Sequence, residues 1–149
     1  MRTLILFLAT GAYSGYAPVA PGTVGSLAAL PLIVLSAQLL HVSSILQVVV
    51  LVLTIAGACW VAGAAERHLG EHDSGKIVVD EIVGFLTATA LLEMTLPRLL
   101  VAFFLFRLFD ILKPPPARYF DRQVPGGVGV VLDDVCAGIY ANLIVRVLL

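Results

Sequence analysis

The chain has 149 residues, of which 60% are hydrophobic and only 13% charged, with nine basic against ten acidic side chains and a net charge of −1. A mean hydropathy of +1.02 is too high for an ordinary soluble domain, in which about a quarter of residues are charged, and without a run of Lys or Arg there is no electrostatic basis for nucleic-acid binding. Cys59 and Cys136 lie in apolar stretches with no Cys-x-x-Cys spacing, so buried thiols are expected rather than a disulfide or a zinc site. The composition predicts one membrane-embedded, all-α domain over residues 1–149.

Arg2 and the apolar run to Ala9 have the outline of a secretory leader, but Thr3 to Ala17 is expected to stay on the chain as a short or tilted helix. Val24 to Leu40 is a second apolar run, interrupted by Pro31, and His41 to Ser44 can turn it into a third, Val42 to Ala65, which is uncharged. That third stretch exceeds the roughly 20 residues a helix needs to cross a bilayer. Three further helices are predicted: Ile77 to Leu96, Leu99 to Leu112 and Val130 to Leu149, separated by Pro97-Arg98 and by the Pro/Gly-rich Lys113 to Gly129. The result is a compact polytopic bundle of about five transmembrane or partly embedded helices.

Threading these spans in order puts Thr23, the polar loop Glu66 to Lys76 and the Lys113 to Gly129 segment on one side, and His41 and Pro97-Arg98 on the other. The first side collects Arg67, Lys76, Arg107, Lys113, Arg118 and Arg122. By the positive-inside rule it is the cytoplasmic side.

The charged residues left within apolar stretches are the informative ones. A carboxylate at the centre of a membrane helix costs roughly 2.5 to 3.5 kcal/mol on insertion scales, yet Asp80-Glu81 and Asp133-Asp134 occur as pairs. They must face a polar interior or the wet surface, and a divalent cation is the simplest group to hold them together. Arg107, Asp110 and Lys113 recur every three residues and fall near one helix face. Ala20-Pro21-Gly22-Thr23-Val24-Gly25-Ser26 places a turn before a helix start that Thr23 could cap, leaving amides suited to a phosphate. Pro125 to Gly129 supplies a second glycine-rich loop just ahead of the second acid pair. Each feature alone has a structural reading: a capped helix, an acid on the helix dipole, an intrahelical ion pair, a turn. Together they provide acids for a metal, bases for a phosphate and helix ends for its oxygens.

The segments APGTVGS (20–26), KIVVDEIVG (76–84), FRLFDILKPPP (106–116) and GGVGVVLDDVCAGIYA (126–141) resemble, in order and over nearly the whole chain, those of the phosphatidylglycerophosphatase A family. Two departures, Ser74 after Asp73 where proline is common and Pro115 where a bulkier residue is common, touch no obvious ligand. The resemblance implies a magnesium-dependent enzyme of the bacterial cytoplasmic membrane that removes the terminal phosphate of phosphatidylglycerophosphate, with the bilayer as its setting and no obligate protein partner.

Other phosphatase chemistries lack their residues. Six positions beyond Cys59 and Cys136 stand Ala65 and Asn142 rather than Arg, no Asp-x-Asp-x-Thr is present, and His41, His68 and His72 have no paired His/Arg context. His68 and His72, four apart, could share a metal, but a solvated loop is the preferred reading. The expected site therefore has Asp80, Glu81, Asp110, Asp133 and Asp134 around one or two Mg²⁺ ions, which prefer oxygen ligands, and a metal-activated water as nucleophile. Arg107 and Lys113 would stabilise phosphoryl charge, with Arg118 beside them, while Thr23, Ser26 and the amides of Gly126 and Gly127 orient the phosphate. Two other classes fit a membrane chain with internal acids. An ion or metabolite carrier would spread its charges through the membrane thickness rather than gather them on one surface. A head-group phosphotransferase would need an Asp-Gly with Ala-Arg signature that is missing.

Overall fold

The computed structural model describes residues 1–71 and 74–149, and the described residues are helical with connecting turns. Helix α1 (Arg2–Ala9) leads through a turn and a 3-10 segment (Ser14–Tyr16) to α2 (Pro21–Ala28) and α3 (Leu30–Val42). Then follow α4 (Ser44–Leu69), α5 (Val79–Thr89), α6 (Leu96–Leu112), α7 (Ala117–Gln123) and α8 (Gly127–Leu148). Three segments, Pro21–Val42, Ser44–Leu69 and Gly127–Leu148, are long and apolar enough to cross a membrane. This is the all-helical membrane architecture that the composition predicts.

Helix α4 begins where the side chain of Ser43 accepts a hydrogen bond from the amide of Leu46 and ends at Gly70 in the left-handed conformation. Its 26 residues span about 39 Å at 1.5 Å per residue. Val48, Val49, Val52, Leu53 and Trp60 are exposed on it, as a lipid-facing helix requires. By contrast 56% of the α8 span is buried, against 22% for α4, so α8 is the central post. Phe85 of α5, Phe106 of α6 and Ala137, Ala141 and Val145 of α8 form one core, while Ala62 and Ala65 of α4 meet Val83 and Val131 in a second. Lipid tails are as apolar as these side chains, so close packing of small residues, rather than removal from water, holds such helices together.

The predicted span Ile77 to Leu96 is shorter than expected. Helix α5 stops at Thr89 after 11 residues, about 16 Å, because Ala90 turns extended and Leu91 takes a positive φ of 57°. The carbonyls freed by this break are not left bare. Asn142 Nδ2 donates to the oxygens of Thr87, Ala88 and Ala90 at 3.3, 3.0 and 2.8 Å, and Arg146 donates to Ala90 and Leu91. The Leu91 amide donates to Gln47 Oε1 at 3.1 Å. Irregular backbone at membrane depth is stable only with such partners.

Helix starts also differ from expectation: α6 opens at Leu96 rather than Leu99, so Pro97 and Arg98, expected to separate two helices, lie in its first turn. Helix α2 opens at Pro21, with Ala20 as an N-cap residue that makes no side-chain bond, so Thr23 lies inside the first turn instead of capping it. Proline at the first turn needs no amide partner and fixes φ for the helix, which explains the earlier start. Helix α8 opens at Gly127 rather than Val130. The segment between Lys113 and Gly129 is not wholly loop, since it contains α7.

Candidate active site

Helices α5 and α8 run side by side in the same direction, as the pairing of Gly84 with Asp134 and Gly138 and of Thr87 and Ala88 with Asn142 shows. Helix α5 therefore delivers Asp80 and Glu81 from its first turn directly opposite Asp134. Adjacent residues on a helix are about 100° apart, so Asp133 and Asp134 cannot serve one neighbour. Asp134 turns toward α5, and Asp133 turns toward the end of α6 and toward α7.

On the α5 side, ligand oxygens of Asp80, Glu81 and Asp134 all lie within 4.8 Å of one another, a spacing that one metal ion can bridge. Asp80 and Asp134 are buried, at 8% and 3% exposure. Glu81 Oε2 and Asp134 Oδ2 are enclosed with no hydrogen-bond partner among the described residues. Buried carboxylate oxygens without a donor are costly, and a cation is the group that would satisfy them.

The basic residues are held by the outer acids. Arg107 Nη1 is 2.7 Å from Asp110 Oδ2, one turn along α6, and 3.9 Å from Glu81 Oε1. Lys113 closes α6 in the left-handed conformation, φ 46°, and its Nζ donates to Asp121 Oδ1 at 2.5 Å and to Asp133 Oδ2 at 2.6 Å. Burial alone would lower the pKa of this ammonium, but its hydrogen bonds to Asp121 and Asp133 outweigh that cost and raise it above the ordinary lysine value. Lys113 is thus charged at neutral pH. Asp133 Oδ1 also accepts the amide of Asp134 at 2.9 Å, which fixes the second acid pair.

These side chains enclose a cavity of about 160 Å³ lined by Asp80, Glu81, Asp110, Lys113, Asp121, Val130, Asp133 and Asp134. All five predicted acids and Lys113 are on its wall. Asp121 is there too, though sequence reasoning passed it over. The available signal was its position four residues after Ala117, the buried residue of α7, which puts both on the inward face of one turn.

The residues expected to hold phosphate are placed unequally. Gly22, in the first turn of α2, abuts the site so closely that a Cβ there would meet Glu81 Oε1 at 2.2 Å and Arg107 Nη2 at 3.1 Å, and Thr23 beside it is half-buried. Ser26 is fully buried, and its hydroxyl donates to the Gly22 carbonyl at 2.8 Å. Gly127 packs against the α4 backbone, where its Cβ would meet Gly63 N at 2.2 Å and Cys59 O at 2.3 Å. Gly126, with φ 73°, starts the chain into α8, and Arg118 is exposed on α7. None of Thr23, Ser26, Gly126, Gly127 and Arg118 lines the cavity, and neither does Arg107, which sits behind Asp110 and Glu81. His68 is exposed at the end of α4, while its proposed companion His72 lies outside the described residues.

A cluster of acids with clamped cations at one end of a membrane bundle is suited to phosphate-ester chemistry at a lipid surface, and comparison with known proteins points the same way. The family model described as Phosphatidylglycerophosphatase A matches residues 7–149. A Haemophilus influenzae protein named Phosphatidylglycerophosphatase A is 43% identical over 142 residues, covering 95% of this chain and 86% of its own. An Escherichia coli protein of the same name is 39% identical over 133 residues, 89% of this chain and 76% of its own. A Bacteroides thetaiotaomicron protein, provisionally named a phosphatidylinositol-3-phosphatase, is 38% identical over 150 residues, covering 97% and 92%. No solved structure matches the chain. With a match over almost its whole length and two relatives of that name near 40% identity, the chain belongs to the phosphatidylglycerophosphatase A family of lipid phosphatases.

Proposed function

We propose that this protein removes the terminal phosphate of phosphatidylglycerophosphate, releasing phosphatidylglycerol and inorganic phosphate, with Mg²⁺ held by Asp80, Glu81 and Asp134. The observation that carries the reading is the mutual approach of those three carboxylates within 4.8 Å, with buried oxygens of Glu81 and Asp134 that have no donor among the described residues. The donor set is all oxygen, which suits a hard cation such as Mg²⁺. When bound, that ion supplies charge neutralisation for the phosphomonoester and activation of water as the nucleophile.

The chain's own groups do the rest. Asp110 and Asp133 lie outside direct ligation in this reading, because Arg107 and Lys113 already engage them. Arg107, steered by Asp110 and pressed against Gly22, presents its planar guanidinium to the phosphoryl oxygens as charge builds on them. The first turn of α2, with Thr23, orients the same phosphate. Ser26 braces that turn through the Gly22 carbonyl, while Gly126 and Gly127 set the start of α8 and Arg118 faces the head-group layer. A carrier would need charged groups through the bilayer thickness, whereas the cavity acids here gather where the α5 start and the α6 end meet α7 and the first two turns of α8.

The test is phosphate release from micelles of phosphatidylglycerophosphate, phosphatidylinositol 3-phosphate and phosphatidic acid by the purified protein, with and without EDTA. The first lipid should be hydrolysed fastest, EDTA should abolish the reaction, and added Mg²⁺ should restore it. Faster turnover of phosphatidylinositol 3-phosphate would overturn the substrate assignment, and full activity in EDTA would overturn the metal.

We place the protein in the bacterial inner membrane with its cavity facing the cytoplasm, on the strength of the basic residues on that side. With Cys59 and Cys136 replaced, Arg122→Cys should react only with a thiol reagent applied from the cytoplasm, and Pro97→Cys only with one applied from the other side. The reverse pattern would invert the orientation; labelling of both from one side would break the topology. His72, another natural choice for this experiment, lies outside the described residues.

A further inference from the structure

The acids on the cavity wall differ in what already holds them. Asp110 is taken by Arg107 at 2.7 Å, and Asp121 and Asp133 share the Lys113 ammonium at 2.5 and 2.6 Å. Apart from both stands the buried group of Asp80, Glu81 and Asp134, whose ligand oxygens lie within 4.8 Å of one another, and Asp134 on the cavity wall, 3% exposed, has an Oδ2 with no hydrogen-bond partner among the described residues. We propose that the Lys113 ammonium is a built-in cation filling a second cation position between Asp121 and Asp133, so that the cavity takes a single divalent ion, at Asp80, Glu81 and Asp134. This deepens the metal reading above and rests on it.

Several features make Lys113 a fixture of the site rather than a mobile substrate ligand. The ammonium bonds two carboxylates at once, as a charge-assisted pair of hydrogen bonds, and both partners come from other helices, α7 and α8. The backbone is committed as well: Lys113 adopts the left-handed conformation that a side chain rarely takes, its amide donating to the Phe109 carbonyl at 2.8 Å as it closes α6. Such strain at a site is retained when the surroundings require it. Here it turns the lysine from the helix end back toward α7 and α8. A divalent ion entering between Asp121 and Asp133 would have to expel a tethered ammonium and then sit beside its charge. Without the lysine, the same two carboxylates would be an open pair of hard oxygen ligands.

The inference is tested by counting bound ions rather than by activity. Mn²⁺ binding to the full chain in a non-ionic detergent is measured by calorimetry and by metal analysis after dialysis. Wild type should bind one Mn²⁺, Lys113→Met should bind two, and Lys113→Met combined with Asp121→Asn should return to one. Two ions on wild type would overturn the proposal while leaving the phosphatase reading intact. A single ion on a Lys113→Met variant with wild-type helicity would overturn it also. If Lys113→Met does not fold, Lys113→Arg serves instead: it keeps a cation in place and should bind one ion, and two would refute the assignment. No Mn²⁺ on wild type would reject the metal site itself, a different failure from the other three.

Discussion

Asp134→Asn should lower phosphate release on the order of 100-fold or more, with helix content unchanged, because it removes both a charge and a candidate ligand from a metal site. Asp80→Asn should do the same. In each case the amide keeps the size of the side chain, so the loss tests charge and coordination rather than packing. Asp134 is the more demanding position, since it is almost fully enclosed and its Oδ2 has no donor among the described residues. Glu93→Gln is the matched control: its side chain is 87% exposed, beside Arg98 at 3.7 Å, at the far end of the bundle from the cavity. That substitution removes an exposed ion pair worth under about 1 kcal/mol and should leave turnover alone. Near-normal rates for both Asp variants at saturating Mg²⁺ would mean that these carboxylates do not hold the catalytic ion.

The parts of this site that were legible in the sequence share a physical reason. Asp80-Glu81 and Asp133-Asp134 stand out because a membrane makes each buried acid expensive, and the cost is visible in composition alone. Helix α4 is legible for the opposite reason, since an uncharged apolar run of that length has few other uses. Where the reading fell short, the deciding contacts come from far away in the chain. The end of α5 is set by Asn142, Arg146 and Gln47, which are 44 to 56 residues from the backbone they hold, and no local pattern in Ile77 to Leu96 announces a break. The same holds for Lys113. Its i, i+3 spacing from Asp110 suggested a shared helix face, but the left-handed backbone at the helix end carries it to Asp121 and Asp133 instead. Asp121 escaped notice because Lys113 to Gly129, rich in Pro and Gly, reads as loop.

Gly138→Val should cost at least about 3 kcal/mol, the upper end for overpacking, since the nearest atom in the way is backbone and cannot rotate aside. A Cβ on Gly138 would lie 2.3 Å from the Gly84 carbonyl oxygen and 2.9 Å from Thr87 Cβ, and one on Gly84 would meet the Phe106 ring at 2.5 Å and the Asp134 carbonyl at 2.9 Å. The two glycines thus let α5 and α8 touch backbone to backbone. That contact is one turn from the acids on both helices: Gly84 follows Asp80 by four residues, and Gly138 follows Asp134 by four. Separating the helices at the glycines therefore separates Asp80 and Glu81 from Asp134, and phosphate release should fall together with the thermal midpoint. Gly57→Ala gives the contrast. Beyond its own helix backbone no atom of the described residues lies within 4 Å of a Cβ at that position, and alanine favours an exposed helix by roughly 0.5 to 1 kcal/mol, so its midpoint should hold or rise with activity unchanged. If Gly138→Val kept both the wild-type midpoint and wild-type turnover, the close approach of α5 and α8 could not be what brings the carboxylates together.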